Sequence, residues 1–240
     1  MFFLFRVAPL AICACLLLAG CQDQESAEVG PSVADEVKAG ALLASYESAR
    51  ASQNWEAAEA QADQLREKFP TSVAAGKVAS SLPAVRDGAI MARDARRLQG
   101  LWQYQTVAVG KGEQRSASIF SRTVPAEEGE VAPTADAQLV LRDHPAWGRS
   151  AYLLLAQTQF SCGRPCAVQI GFDNSQAQRY AGKQADSGKG PALFIEDDGA
   201  FIAAMSQAKT VRIELPKGSG RIPALVFEVG GYAPARFAKP

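Results

Sequence analysis

The stretch Ser150-Ala-Tyr-Leu-Leu-Leu-Ala-Gln-Thr-Gln-Phe160-Ser-Cys-Gly-Arg-Pro-Cys166-Ala-Val-Gln-Ile-Gly-Phe172 combines a clear strand signal with a pair of cysteines. Side chains alternate along a strand, so Tyr152, Leu154 and Phe160 share one face of the first half. Val168, Ile170 and Phe172 share one face of the second. If Cys162 and Cys166 stand opposite each other across the turn between them, Phe160 falls opposite Val168 and Thr158 opposite Ile170. Both apolar faces then lie on one side, as a single register requires. The spacing predicts a β-hairpin stapled by a Cys162–Cys166 disulfide.

Period-two runs extend on both sides of this stretch. Leu101 to Val109, Ser116 to Ser121 and Gln138 to Arg142 have strand character upstream, with a polar loop around Pro125 to Pro133. Downstream come Ala192 to Ile195 and the acidic turn Glu196-Asp-Asp-Gly199. A helix follows, with Phe201, Ile202, Met205 and Ala208 on one side. Thr210 to Leu215 and Ile222 to Val229 close the chain as strands. Seven or eight strands with one short helix predict an antiparallel β-sandwich or open barrel over residues 100–240.

Residues 35–99 have a helical period instead. Leu42, Leu43, Tyr46 and Ala49 fall on one face, and Trp55, Ala58, Ala62, Leu65 and Phe69 on another. Asn54 is placed to cap the second helix, Pro70 to stop it and Thr71 or Ser72 to cap the third. A fourth helix starts near Pro83, with Ile90, Met91 and Leu98 expected on its inner face. The fold class is α+β, a helical hairpin or short bundle followed by the β-rich domain. The stretch Asn54 to Ser72, NWEAAEAQADQLREKFPTS, resembles the second helix of a tetratricopeptide repeat. The likeness covers one repeat, whereas a stable solenoid needs about three, so a helical hairpin packed on the next domain is the expectation.

The N-terminus assigns the compartment. Residues 1–20, MFFLFRVAPLAICACLLLAG, place one cation before an apolar run too short to span a bilayer, the pattern of a signal peptide. The run ends in Leu18-Ala-Gly-Cys21, which resembles the lipobox of bacterial lipoproteins. The resemblance implies cleavage before Cys21 and attachment of acyl chains, palmitate among them, to that residue. Several chains, each contributing about 0.8 kcal/mol per buried methylene, hold a protein on a membrane without spanning it. Gln22 stands where the lipoprotein sorting pattern would place an inner-membrane aspartate, implying the periplasmic face of the outer membrane. Residues 21–34 then form the lipidated cysteine and a flexible tether, with about 20 Å of reach. Signal removal and acylation leave Cys162 and Cys166 as the remaining thiols, and an even pair in an oxidising compartment favours a disulfide.

The cysteine pair, Phe172-Asp173, Ala192 to Ile195, Ala200 to Ile202, Val211 to Leu215 and Phe227 to Gly231 together resemble the periplasmic domains of invasion-associated locus B proteins. There is a fainter likeness to type VI secretion accessory lipoproteins. The resemblance covers roughly Leu101 to Phe237 and implies an envelope domain engaged in interaction or assembly.

Lys and Arg balance Asp and Glu at 25 each, so nothing electrostatic argues for nucleic acid as a partner. The one histidine, His144 in Arg142-Asp-His-Pro-Ala-Trp147, reads as a turn residue held by a hydrogen bond. Gly182 to Gly190 lacks the spacing of a phosphate loop and reads as a polar loop. Glu196, Asp197 and Asp198 could gather a hard cation, but their position before a helix favours capping. Trp102, Tyr104 and Trp147 are expected to pack in the core. No catalytic residue, cofactor or metal is assigned. The expected function is that of a non-enzymatic, lipid-anchored binding or assembly accessory with an envelope protein as partner. The alternative is a periplasmic enzyme, either a thiol-disulfide exchanger using Cys162 and Cys166 or a hydrolase. Exchange proteins usually place a Cys-x-x-Cys pair at a helix N-terminus, whereas here the pair is one residue longer and lies in a hairpin context.

Overall fold

The computed structural model describes residues 31–122, 137–155, 166–184, 191–215 and 224–237. Four helices come first: α1 (Val33–Ala51), α2 (Trp55–Lys68), α3 (Val73–Ala79) and α4 (Leu82–Gly100). α1 begins two residues inside the expected tether because the Ser32 hydroxyl accepts the Asp35 amide, satisfying a donor that the first turn would otherwise leave open. Asn54 caps α2 through the Ala57 amide and Ser72 caps α3 through the Ala75 amide, as their positions predict. α2 ends at Lys68, before Pro70.

The helical part has its own core of Ala39, Tyr46, Ala58, Ala62, Leu65, Val78, Leu82 and Val85. α4 corrects one expectation. Its buried residues are Leu82, Val85 and Ala89, while Ile90 and Met91 face solvent. The reason is the contact with α2. Gly88 carries the Trp55 ring, and a Cβ there would come within 2.7 Å of that ring. Alongside it, Arg96 pairs with Glu56 at 2.6 Å, Arg93 with Glu59 at 2.6 Å and Arg86 with Asp63 at 2.9 Å. Small residues allow close approach and charges line its edge, so the largest apolar side chains of α4 are left on the far side.

The chain then forms β1 (Gln103–Val109), β2 (Gly112–Phe120), β3 (Ala137–His144), β4 (Gly148–Leu155), β5 (Ala167–Phe172), β6 (Gln178–Gln184) and β7 (Ala192–Ile195). After α5 (Asp198–Met205) come β8 (Val211–Glu214), β9 (Leu225–Phe227), a 3-10 turn (Val229–Gly231) and α6 (Pro234–Phe237). All nine strands make one antiparallel sheet in the order β1-β2-β3-β4-β7-β6-β5-β8-β9, curled into a half-barrel. The curl brings β9 back toward β2, where Arg122 bridges to Val226. The fold is α+β with an open-barrel β domain, one of the two arrangements that the strand count predicts. Ala117, Ile119, Leu139, Leu141, Leu153, Leu193, Ile213 and Phe227 fill its concave core, together with Phe201 and Met205 of α5.

The predicted pairing of Ile170 with Thr158 in a hairpin across Ser150–Phe172 does not form, and the predicted Phe160–Val168 pairing lies outside the described residues. β4 pairs with β3 and β7, and β5 pairs with β6 and β8. Ile170, expected opposite Thr158, lies between Gln178 and Ile213, so both of its edges are taken. The apolar face of β4 is also reversed. Ala151, Leu153 and Leu155 point into the core, and Tyr152 and Leu154 stand half-buried on the other face. A run of apolar residues offers two plausible faces, and the rank of smaller Ala and Leu side chains faces the barrel. The last three residues of β6, Gly182 to Gln184, were expected in a polar loop, and Gln178 to Ala181 were not assigned to a strand. The segment becomes a strand because β5 and β7 supply ladder partners on both sides, with Gly182 buried against Leu193.

Helices and sheet meet where α4 ends. Arg97 holds Glu228 through two hydrogen bonds of 3.0 and 3.1 Å, and this fork keeps the Glu228 carboxyl below its ordinary range. Trp102 is buried, donates its Nε1–H to the Val229 carbonyl and packs on Tyr232 at 5.0 Å between ring centroids. Tyr104 accepts the Ala233 amide on its hydroxyl.

Candidate functional site

The face of β3, β4 and β7 turned away from the core carries Arg142, Ser150, Tyr152 and Phe194. Arg142 pairs directly across from Ser150, and Tyr152 across from Phe194. The two rings pack at 5.0 Å between centroids. The Arg142 guanidinium lies 5.3 Å from the centre of the Tyr152 ring and 5.4 Å from that of Trp147, positioned by two aromatic faces. Burial pushes the Tyr152 phenol up, and the neighbouring Arg142 cation opposes the shift.

Trp147 departs from expectation. It is 71% exposed and stacks on His144, with centroids 3.8 Å apart and planes within 12°. His144 closes β3, is buried, and accepts the Ala146 amide on Nδ1. This is the hydrogen-bonded turn role that its sequence position predicts, and the accepted bond places any neutral-state ring proton on Nε2. The four residues between Arg142 and Trp147 hold the imidazole as a support for the exposed indole.

A cleft of about 640 Å3 opens over this face. Its lining includes Arg142, Trp147, Ser150 and Phe194, with Lys183 from β6 and Asp198 from the first turn of α5. Three polar atoms in it are buried without a hydrogen-bond partner: Arg142 Nε, Ser150 Oγ and Asp198 Oδ2. A buried group left in this state costs about 1 to 3 kcal/mol, and native folds rarely keep several together without a use. Arg142 and Asp198 share the cleft but form no ion pair with each other. A second cleft, of about 710 Å3, lies between the β1–β2 and β3–β4 turns. Two of its side chains are engaged, Arg115 with Glu113 at 3.1 Å and His144 Nδ1 with the Ala146 amide, and it lacks a large exposed aromatic ring like Trp147. The first cleft is therefore the candidate binding site.

Comparison with protein-family models, with curated proteins and with solved structures finds no match for this chain.

Of the residues singled out from sequence, Cys21 and Cys162 lie outside the described residues. Cys166 directly precedes β5, accepts the Gly182 amide on its carbonyl and packs its side chain against the barrel core. In the acidic turn Asp197 performs the capping role, its Oδ1 accepting the Ala200 amide at 3.2 Å. Asp198 lines the cleft, with Oδ2 buried and without a hydrogen-bond partner. Among the described residues no group of three or more His, Cys, Asp or Glu side chains is gathered to hold a metal ion. Sequence reasoning missed the cleft because its parts come from β3, β4, β6, β7 and α5. The available signal was Arg142-x-x-x-x-Trp147 in a turn, with polar Ser150 directly before an apolar run.

Proposed function

We propose that this protein is a lipid-anchored lipoprotein on the periplasmic face of the bacterial outer membrane, held by acyl chains on Cys21. It acts there as a non-enzymatic binding or assembly accessory. The observation that carries the binding role is the outer-face cleft, which gathers Arg142, Ser150 and Asp198 beside the exposed Trp147 ring. A binding surface needs such groups fixed in place before the ligand arrives. Nucleophilic chemistry needs more: a hydroxyl is activated by a base within hydrogen-bond reach. Among the described residues no side chain accepts a hydrogen bond from Ser150 Oγ, so none of them is positioned to take its proton.

The Cys162–Cys166 bridge is part of the same proposal. It is supported by the even pair of thiols that signal removal and acylation leave in an oxidising compartment. Its structural role is supported by the position of Cys166 before a strand and against the core, away from the helix N-terminus that lowers the pKa of many reactive thiols. The signal segment and the lipobox Leu18-Ala-Gly-Cys21 support the anchor. In cells labelled with an alkyne fatty acid, the parent chain is expected to take up label and to sediment with outer membranes. Cys21→Ser should remove the label and release the body. Membrane retention of the unlabelled variant would refute acylation as the anchor.

A further inference from the structure

We infer that β1 is a docking edge for a second copy of this chain, the two β1 strands pairing antiparallel about a two-fold axis at Thr106. The inference is independent of the cleft and of the acyl anchor. β1 is a terminal strand of the sheet, hydrogen-bonded to β2 on one side only. Its backbone groups on the other side meet no backbone partner among the described residues. An open row of this kind is a template for another strand, and sheets usually blunt it with lysine, proline, a bulge or a short edge. The opposite edge shows such protection. β9 has three residues, and the Arg122 amide donates to the Val226 carbonyl at 2.7 Å, so the chain closes part of that edge itself. β1 has none of these devices. Gln103-Tyr-Gln-Thr-Val-Ala-Val109 is seven residues long, carries no charge and no proline, and keeps an unbroken register with β2 up to the tight Gly110-Lys111 turn. Gln103, Gln105, Thr106, Val107 and Ala108 are all exposed, Val107 at 50%.

The sequence of the strand points to a copy of itself as the occupant. Around a two-fold axis every central residue faces its own copy or a close neighbour, so a charge there would meet a like charge. β1 has none to repel. Centred on Thr106, the pairing sets Thr106 opposite its own copy, Gln105 opposite Val107 and Tyr104 opposite Ala108. Thr–Thr pairs are favourable across strands. Tyr104 is already fixed within its own chain, its hydroxyl accepting the Ala233 amide at 2.7 Å and its ring centre 4.2 Å from the Arg236 guanidinium. Ala108, the smallest side chain of the strand, is what this bulky pair meets across the axis. The contact consists mainly of backbone hydrogen bonds and covers little apolar area, which makes a weak, reversible dimer with its two sheets joined edge to edge.

The test uses the full chain in detergent, with the protein mass read by light scattering corrected for bound detergent. The parent is expected to pass from monomer to dimer with a Kd below about 100 μM. Thr106→Lys places two like charges on the axis and should raise that Kd about tenfold or more. Thr106→Cys reads the register. Residues directly opposite in an antiparallel pair have Cα atoms about 4.5 to 5.5 Å apart, within the span of a disulfide, so oxidation of this variant should give a covalent dimer. Ser48→Cys, exposed on α1, controls for random collision, and the parent oxidised alongside sets the background from its own cysteines. Unchanged circular dichroism shows that Thr106→Lys still folds, and Thr106→Cys, which adds no charge, carries the test if it does not. A parent that stays monomeric to about 200 μM would overturn the pairing. So would a dimer that a folded Thr106→Lys leaves intact, or a Ser48→Cys dimer as abundant as the Thr106→Cys one.

Discussion

Gly231→Ala tests how the helical part is joined to the half-barrel. A Cβ at Gly231 would collide with the carbonyl carbon and oxygen of Leu98 and with the Gln99 nitrogen. These are backbone atoms in the last turn of α4, so no rotamer change can make room. Either the 3-10 turn or the helix end must move. Both routes disturb the same set of contacts: the two Arg97–Glu228 hydrogen bonds, the Trp102 Nε1–H to Val229 bond and the Trp102–Tyr232 packing. The exposed ion pair contributes about 0.2 to 1 kcal/mol, and the buried indole bond about 1 kcal/mol. With overpacking strain added, a loss of about 3 kcal/mol is expected.

For a urea slope of about 2 kcal/mol/M, that lowers the unfolding midpoint by roughly 1.5 M. The neighbouring residue is the control. A Cβ on Gly230 would find Lys209 Cα at 3.4 Å and Leu98 Cδ1 at 3.5 Å, which is ordinary contact. Gly230→Ala should therefore stay within about 0.5 kcal/mol of the parent. Urea unfolding followed by circular dichroism and by tryptophan emission reads both variants. A Gly231→Ala midpoint within about 0.2 M of the parent, or a Gly230→Ala loss of equal size, would refute the close-packed junction.

Two further perturbations examine the remaining packing and electrostatics. Asp173, at φ 51°, receives the Thr210 and Lys209 amides on Oδ1, each at 2.8 Å. These bonds, the Thr210 amide first, hold its carboxyl below the ordinary value of 3.8. A depressed folded-state pKa stabilises the fold above the unfolded value, and that stabilisation is lost as pH falls through the folded value. Asp173→Asn accepts the same backbone shape, so it should melt below the parent at pH 7 and converge with it in acid. A gap that persists unchanged below pH ~3 would count against the linkage. On α4, Ile90→Ser should change stability by less than about 0.5 kcal/mol, whereas Val85→Ala should cost about 1 to 3 kcal/mol. Equal losses in thermal melts would contradict the observed inner face.

The helical part was legible where single residues carry the information. Asn54, Ser72 and Pro70 mark their boundaries because caps and breaks are local physics. The inner face of α4 was less visible because size misleads there: Gly88 and Ala89 make the close contact, so Ile90 and Met91 are left outside. In the β part most strands were visible, but their neighbours were not. Alternation identifies the two faces of a strand and says nothing about which strand lies beside it. The segment around Cys162 and Cys166 looked like a hairpin because its halves are adjacent in sequence, yet β7 and β6 lie between β4 and β5 in the sheet.

That wider separation has a consequence for the site. A direct β4–β5 hairpin would have placed β5 where β7 now pairs with β4, and Phe194 would not stand opposite Tyr152. It is the insertion of β7, leading straight into α5, that carries Asp198 to the rim beside Ser150 and Arg142. The same non-local pairing that hid the register from the sequence therefore assembles the cleft, with its donor, hydroxyl and acceptor drawn from three separate elements.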